Sequence, residues 1–311
     1  MPAEDYSELG TRIARIAGDC LKRDATLAGF TSFRIGGPAD LLIVPADVDM
    51  LAAVLAEAAA DGVPITRLGG GTNILVSDLG VRGLVVRLGR DFDYRTWHEE
   101  SDGVVLVDVG ASTRLGKFVK ESVERGLGGV EFAAGIPGTV GGGALMNAGA
   151  FGGEIGSAIV AAEGVSLVGE RVRFEREQLE FSYRRLALSV DVVITSVSFR
   201  LLRASVGRLR RIVGSVQTKR RRKQPLGLPN AGSIFKNPKD DFAGKLIEQA
   251  GLKGRTVGRA QVSPDHANFI VNLGGATAND VRTLMGLMQD EVWQRSGVWL
   301  EPEVRLVGEW G

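Results

Sequence analysis

Thiols and imidazoles are scarce: the 311 residues hold one cysteine, Cys20, and two histidines, His98 and His266. A lone thiol excludes an internal disulfide and suits a reducing compartment. Three such groups also provide no ligand set of the usual zinc spacing, so no metal site is expected. Neither sign of charge is in excess. The 38 Lys and Arg against 37 Asp and Glu leave a net charge of +1, too little to draw the chain to nucleic acid or a membrane surface. Any anion it binds must therefore be met by local groups. No apolar run reaches the ~18 residues of a membrane span. The opening MPAEDYSELG is acidic and lacks the apolar centre of a signal peptide. Together these absences predict a soluble, cytoplasmic protein. Internal repeats and low-complexity linkers are absent as well.

The composition is otherwise that of an ordinary globular chain, 44% hydrophobic and 24% charged, and the length suggests about two domains. Helical spacing of Leu51, Val54, Leu55 and Ala58 predicts a helix over 47–62, closed by Gly62. Residues 63–68, 84–88 and 103–110 read as strands. Residues 113–126 return to a helix with Leu115, Phe118, Val119 and Val123 on one face. Residues 163–174 read as a hairpin turning near Gly169 and Glu170, and 191–204 as a strand. The texture changes near 204, where a basic amphipathic helix runs to Pro225. A further helix at 277–297 opens with the capping pattern Thr277-x-x-Asp280. Residues 298–308 read as a closing strand, on which Glu301 and Glu303 would share a face.

Glycine is the abundant residue, at 43. Two clusters stand out: LGGGTNILVSD at 68–78 and GIPGTVGGGALMNAGAFGG at 135–153. In the second, eight of nineteen residues are Gly, none is charged, and Thr139 and Asn147 are the polar side chains. Glycine-rich turns let backbone N–H groups converge on a phosphate. The dinucleotide fingerprint G-x-G-x-x-G fails, because Ile74 stands where the third glycine belongs and ILVSD reads as extended. The P-loop pattern fails in GASTRLGKF (110–118), which has five residues between its glycines and Phe118 after the Lys. Taken together, two uncharged clusters suit a large, partly apolar ligand with an internal diphosphate, such as a flavin dinucleotide gripped by backbone from two sides.

Seven segments occur in a recognisable order: FTSFRIGGPAD (30–40), RLGGGTNILVSD (67–78), GIPGTVGGGALMNAGAFGGE (135–154), FSYR (181–184), NAGSIFKNP (230–238), QVSPDHANFIVN (261–272) and LEPEVRLVG (300–308). In these the chain, from about residue 30 to its end, resembles the UDP-N-acetylenolpyruvoylglucosamine reductase (MurB) family. The resemblance implies an α+β flavoprotein of the vanillyl-alcohol-oxidase (PCMH) type. It divides the chain into a first FAD-binding lobe at 1–88, against which the C-terminal strand 300–311 could pack, a second FAD-binding lobe at 89–204 and a smaller α+β substrate-binding domain at 205–311. Noncovalent FAD is implied, since neither His nor Cys lies in the loops. The loop residues implied to bind it are Gly69, Gly70, Gly71, Thr72, Asn73 and Ile74, with Gly135, Ile136, Pro137, Gly138, Thr139, Gly141, Gly142, Asn147 and Gly149. The glycines are expected to let main chain stand where side chains would collide with the cofactor.

The implied reaction reduces the enol ether of a UDP-sugar in peptidoglycan precursor synthesis, with NADPH as the hydride source. Hydride reaches C3 of the enolpyruvyl group, charge builds at C2 and its carboxylate, and C2 then takes a proton. Arg184 matches the family's catalytic arginine, whose fork of donors fits a carboxylate; Arg185 is the neighbour that could be mistaken for it. Ser233 matches the proton donor, and no G-x-S-x-G elbow surrounds it to suggest a hydrolase nucleophile. Glu303, directly before Val-Arg, matches the third catalytic residue in preference to Glu301. Lys223 and Asn237 match residues near the UDP-sugar. The 49 residues from Arg184 to Ser233 are too few for the tyrosine-bearing loop of one family subtype, and Tyr183 is the last tyrosine. The chain therefore resembles the compact subtype, and the cations at 219–223 are candidates to shield the substrate diphosphate. Gly143 and Ala144 depart from the more usual Ala and larger residue.

A monomer without nucleic-acid or membrane partners is expected. Two other readings are an FAD oxidase of the same fold, which has no use for NAGSIFKNP and EPEVR, and an RNA-binding module built on the basic helix.

Overall fold

A computed structural model describes residues 6–311 except Leu226, and the side chain of Lys223 lies outside the described residues. The chain forms two compact units, each assembled from separate stretches. The first comprises Met1–Arg23, Asp40–Gly70 and Gly83–Lys219; the second comprises Asp24–Ala39, Gly71–Arg82 and Arg220–Gly311. Among the described residues the α-helices are α1 (Ser7–Ala17), α2 (Val48–Ala60), α3 (Leu115–Glu124), α4 (Val140–Leu145), α5 (Val206–Lys223), α6 (Ala243–Gln249) and α7 (Ala278–Ser296). No described helix is long and apolar enough to cross a membrane.

In the first unit, α2 begins where Asp47 accepts a hydrogen bond from the Met50 N–H at 2.7 Å. Its apolar stripe of Leu51, Val54, Leu55 and Ala58 is buried, as the spacing predicts. That stripe shares a core with Ile13 of α1 and with Leu41, Ile43, Leu84 and Val86. The strand Ile65–Arg67 runs parallel to Val81–Val86, with Ile65 opposite Leu84. This register carries the chain directly into the first glycine cluster.

An antiparallel sheet follows, in the order Arg171–Glu175, Ile159–Ser166, Val192–Arg203, Val104–Gly110, Arg95–Glu99. Val105, Val107 and Val109 alternate inward from one of its central strands. Val109 stands opposite Val197, and Phe118 of α3 packs on Phe199 with ring centroids 4.7 Å apart. An aromatic pair of this kind adds ~0.5–1.5 kcal/mol beyond its area. Together with the cluster around α3 and α4, these contacts fix the floor from which the second glycine cluster rises.

The second unit is built on a core of Phe33, Leu75, Ile234, Phe235, Ile247, Val281 and Met288. Ile74–Val76 pairs in parallel with Arg305–Val307, and Thr256–Val257, Ala260–Val262 and Ile270–Asn272 form a meander. The capping box of Thr277 and Asp280 is present at the start of α7. Asp78 supplements it by accepting from the N–H groups of Ala278 and Asn279 at 2.8 and 3.0 Å. The closing strand is shorter than its sequence suggests: regular pairing is confined to Arg305–Val307. Pro302 has no N–H to give a ladder. Residues 301–303 bond instead to the segment around Ile234, through Lys236 N–H to Glu301 C=O and Glu303 N–H to Ile234 C=O.

Candidate active site

Two loops 66 residues apart in sequence meet in the first unit. A Cβ added to Gly70 would lie 2.8 Å from the Gly138 Cα, and one on Gly69 would lie 3.3 Å from the Thr139 hydroxyl oxygen. Gly70 is thus required by the approach of two backbones to each other. Packing of main chain on main chain is one reason for the glycines here. Gly141 is similarly confined, its added Cβ falling 2.7 Å from the Ala111 Cβ. Gly142 differs. Its added Cβ would find only the Thr139 hydroxyl, at 3.4 Å, within 4 Å, so protein packing does not account for it.

The cradle is rich in donors. Among the described residues, the N–H groups of Gly69, Gly70, Gly138 and Thr139 are given to no protein acceptor. Gly69, Gly135 and Pro137 are exposed, with Ile136 and Gly142 half-buried. No acidic residue occurs in 69–74 or 135–149. An uncharged surface of convergent N–H groups, with a glycine face that a Cβ would fill, fits a diphosphate held by backbone.

The two polar side chains of the loop serve the protein itself, which the sequence does not reveal. Thr139 caps α4 by accepting from the Gly142 N–H at 3.4 Å. Asn147 is buried in a left-handed conformation, φ 40°. It accepts from the Gly156 N–H at 3.1 Å and donates to the Ser182 carbonyl and the Glu154 carboxylate at 2.9 Å. What Asn147 can offer a cofactor is main chain only.

Asn147 thereby anchors the hairpin that carries Arg184. Glu180–Ser182 pairs with Arg185–Ala187, leaving Tyr183 and Arg184 as the turn. Arg184 has φ 59°, a left-handed conformation that costs an L-residue about 1–2 kcal/mol. Its guanidinium lies 5.0 Å over the Tyr183 ring and donates to the Gly149 carbonyl at 3.2 Å. Gly149 begins a small hairpin, Gly149–Ala150 paired with Gly153–Glu154, so the carbonyl is held in place. Arg185 is an exposed strand residue. The two neighbours thus differ: Arg184 is a left-handed turn residue held by a built support, and Arg185 a regular strand position.

In the second unit Ser233 lies between Gly232, φ 77°, and the fully buried Ile234. Asn230 shapes the approach, accepting from the Gly232 N–H at 3.0 Å. The Ser233 hydroxyl is half-exposed and bonds to no described residue. The next peptide holds Glu303, whose N–H donates to the Ile234 carbonyl at 2.8 Å. Asn73 of the same unit reaches this place: its Nδ2 donates to the Glu303 carbonyl at 3.0 Å, and Arg305 N–H donates to the Asn73 carbonyl at 3.1 Å. Thr72 and Ile74 flank it, Ile74 opening the paired strand. Gly71 packs on the Phe30 carbonyl, and its own carbonyl accepts from Ser32 N–H at 2.9 Å. Ser32 Oγ donates to the Asn230 carbonyl at 2.6 Å. Ser233, Glu303 and the 71–74 loop are thus one hydrogen-bonded assembly. Glu301 stands apart, its carboxylate paired with Lys236.

Asn237 accepts from the Ala243 N–H at 3.1 Å ahead of α6 and is exposed. Lys223 ends α5, and its side chain lies outside the described residues.

Asn268 is a residue the motif reading missed. It is 2% exposed, and its side-chain amide both accepts from the Phe235 N–H at 3.0 Å and donates to the Phe235 carbonyl at 2.8 Å. Its backbone carbonyl takes the Ile234 N–H at 2.9 Å. It holds the segment after Ser233 as a neighbouring strand would. Asn268→Ala should lower stability by ~2–3 kcal/mol, because two buried backbone groups lose their partner. Urea unfolding measures this; a midpoint unchanged from wild type would mean that water replaces the clamp.

Comparison with known proteins bears on both units. Residues 39–175 match the model of an FAD binding domain, and residues 224–307 match that of the UDP-N-acetylenolpyruvoylglucosamine reductase C-terminal domain. A UDP-N-acetylenolpyruvoylglucosamine reductase of Anaeromyxobacter sp. (strain Fw109-5) is 48% identical over 95% of this chain and 91% of its own. The protein of that name from Geobacter metallireducens is 42% identical over 97% of this chain and 99% of its own. Among solved structures, the reductase of Thermus caldophilus superposes with a TM-score of 0.79 at 36% identity, covering 92% of this chain and 98% of its own.

Proposed function

The chain belongs to the UDP-N-acetylenolpyruvoylglucosamine reductase family, and we propose a division of its chemistry among the residues placed above. It is an FAD-containing oxidoreductase of α+β fold that uses NADPH to reduce the enolpyruvyl ether of UDP-N-acetylenolpyruvoylglucosamine, giving UDP-N-acetylmuramate. The observation that carries the cofactor side is the meeting of Gly69–Gly70 with Gly138–Gly142 around unspent N–H groups.

When bound, FAD would supply the hydride chemistry that links NADPH to C3 of the substrate. Gly69, Gly70, Gly71, Gly135, Gly138 and Gly142 with their neighbours hold its diphosphate through main chain. Arg184 meets the substrate carboxylate, on which enolate charge builds; a fixed fork aimed at developing charge needs no rearrangement during reaction. Ser233 delivers the proton to C2 from a hydroxyl that no described residue occupies. Glu303, hydrogen-bonded through its backbone to the segment after Ser233, assists charge and proton handling. Lys223 and Asn237 contact the nucleotide sugar. The protein is read as a cytoplasmic monomer with no nucleic-acid or membrane partner.

The test is spectroscopic. The purified protein should show flavin absorption that bleaches with NADPH and returns on adding UDP-N-acetylenolpyruvoylglucosamine. Protein without a flavin band after supply of FAD, or reduced flavin indifferent to that substrate, would overturn the reading.

The glycines yield a sharper prediction. Gly142→Val should give folded protein with flavin occupancy reduced at least tenfold, because the added branches occupy space that protein leaves open. Gly70→Ala should instead lose thermal stability even before FAD is added, since its methyl meets the Gly138 backbone. Full flavin occupancy in Gly142→Val would remove α4 from the cofactor site.

A further inference from the structure

A dinucleotide diphosphate brings two negative charges at neutral pH, and neither glycine loop contains a cation. Two arginines border the cradle from outside the loops: Arg114 immediately precedes α3, and Arg87 follows the strand Val81–Val86. Arg114 pairs with Thr139 in an isolated antiparallel bridge. Residues directly opposite in such a pair project to the same face. The Thr139 side chain on that face accepts from the Gly142 N–H and lies 3.3 Å from where a Gly69 Cβ would fall. Arg114 is therefore placed on the cradle side of the bridge. It is exposed, and among the described residues its guanidinium has no ion-pair or hydrogen-bond partner.

Arg87 stands behind it. The strand ending at Val86 takes the Leu68 N–H on its last carbonyl, one residue before Gly69. Arg87 is partly buried, and its pKa falls below the ordinary arginine value through burial first and the positive charge of Arg114 second. Two like charges are thus held close together beside a surface of unspent N–H donors.

We propose that Arg114, with Arg87 behind it, supplies the countercharge for the diphosphate of the bound flavin dinucleotide. This rests on the flavoprotein reading and adds residues that no glycine motif contains. The cofactor is held by main-chain geometry and attracted by charge, and the second contribution is sensitive to salt.

FAD affinity of the deflavinated protein, followed by flavin fluorescence across a salt series, provides the test. Arg114→Gln should weaken binding roughly tenfold at low salt, and the difference should vanish near ~1 M, where the Debye length is ~3 Å. Arg114→Lys should recover part of the loss. Arg15→Gln on α1 removes the same charge from elsewhere and should bind as wild type. The FAD-free Arg114→Gln protein should melt no lower than wild type, since a repulsion has been removed. Inorganic pyrophosphate should raise the melting temperature of the FAD-free wild type more than that of Arg114→Gln. FAD binding by Arg114→Gln within twofold of wild type at low salt would overturn the proposal and leave the flavoprotein reading standing. If the wild type binds no FAD, that reading fails instead, and equal stabilisation of both proteins by pyrophosphate then overturns the role of Arg114 on its own.

Discussion

Arg184→Gly should produce a protein of nearly wild-type stability whose turnover falls to about a hundredth or a thousandth. The two effects have separate causes. Glycine adopts the left-handed conformation at φ 59° without the ~1–2 kcal/mol that an L-side chain spends there. Against that gain stand the contacts of the guanidinium, among them the hydrogen bond to Gly149 and the stacking on Tyr183, each about 0.5–1.5 kcal/mol. Catalysis loses a preorganised donor aimed at developing charge, for which 10²–10³ is the usual magnitude. Thermal melts with single-turnover reoxidation of reduced flavin measure both. Arg184→Lys should also fall steeply, because charge without the fork does not fit a carboxylate. Arg185→Lys, on an exposed strand position, should stay within about twofold of wild type. A larger loss at Arg185 than at Arg184 would shift the catalytic assignment by one residue.

Ser233→Ala should divide the reaction into its halves. A hydroxyl that only protonates C2 has no part in moving hydride from NADPH to FAD. Reduction by NADPH should proceed near the wild-type rate. Reoxidation by the enolpyruvyl substrate should slow by roughly 10²–10⁴, the usual contribution of a positioned general acid. Fold and flavin content should hold, since no described residue depends on the Ser233 hydroxyl. Stopped-flow spectra resolve the two steps. Equal slowing of both would make Ser233 structural, and no slowing of either would pass the proton to Glu303.

Local periodicity was readable wherever one residue's surroundings are set by its own helix or strand. Leu51, Val54, Leu55 and Ala58 lie inside, and Thr277 and Asp280 cap α7. The chemistry-bearing motifs were readable only through resemblance, because a serine after glycine or an arginine after a strand carries no pattern of its own. The polar clamps were not readable. Asn268 grips a peptide 33 residues away, and Asn272 donates to the carbonyl of Phe33, 239 residues distant. An asparagine that serves backbone has no sequence signature, since any peptide can be its partner. Glycine misleads in the opposite direction. Gly70 and Gly142 look alike in sequence, yet one is fixed by another backbone and the other borders open space. The end of the chain shows the limit of a strand pattern. Its alternation persists through 300–304, but Pro302 and the bonds to Ile234 divert it from regular pairing.

The bond between Asn73 and Glu303 spans 230 residues, beside the parallel pairing of Ile74–Val76 with Arg305–Val307. On a ribosome adding about 5–20 residues per second, the early strand waits roughly 10–50 s for its neighbour to be made. During that interval Leu75, fully buried in the finished protein, lies on an unpaired edge open to any other extended chain. Nascent polypeptides of this protein are therefore expected to engage chaperones until their last residues emerge, and premature termination should send them to aggregates rather than to a smaller soluble product.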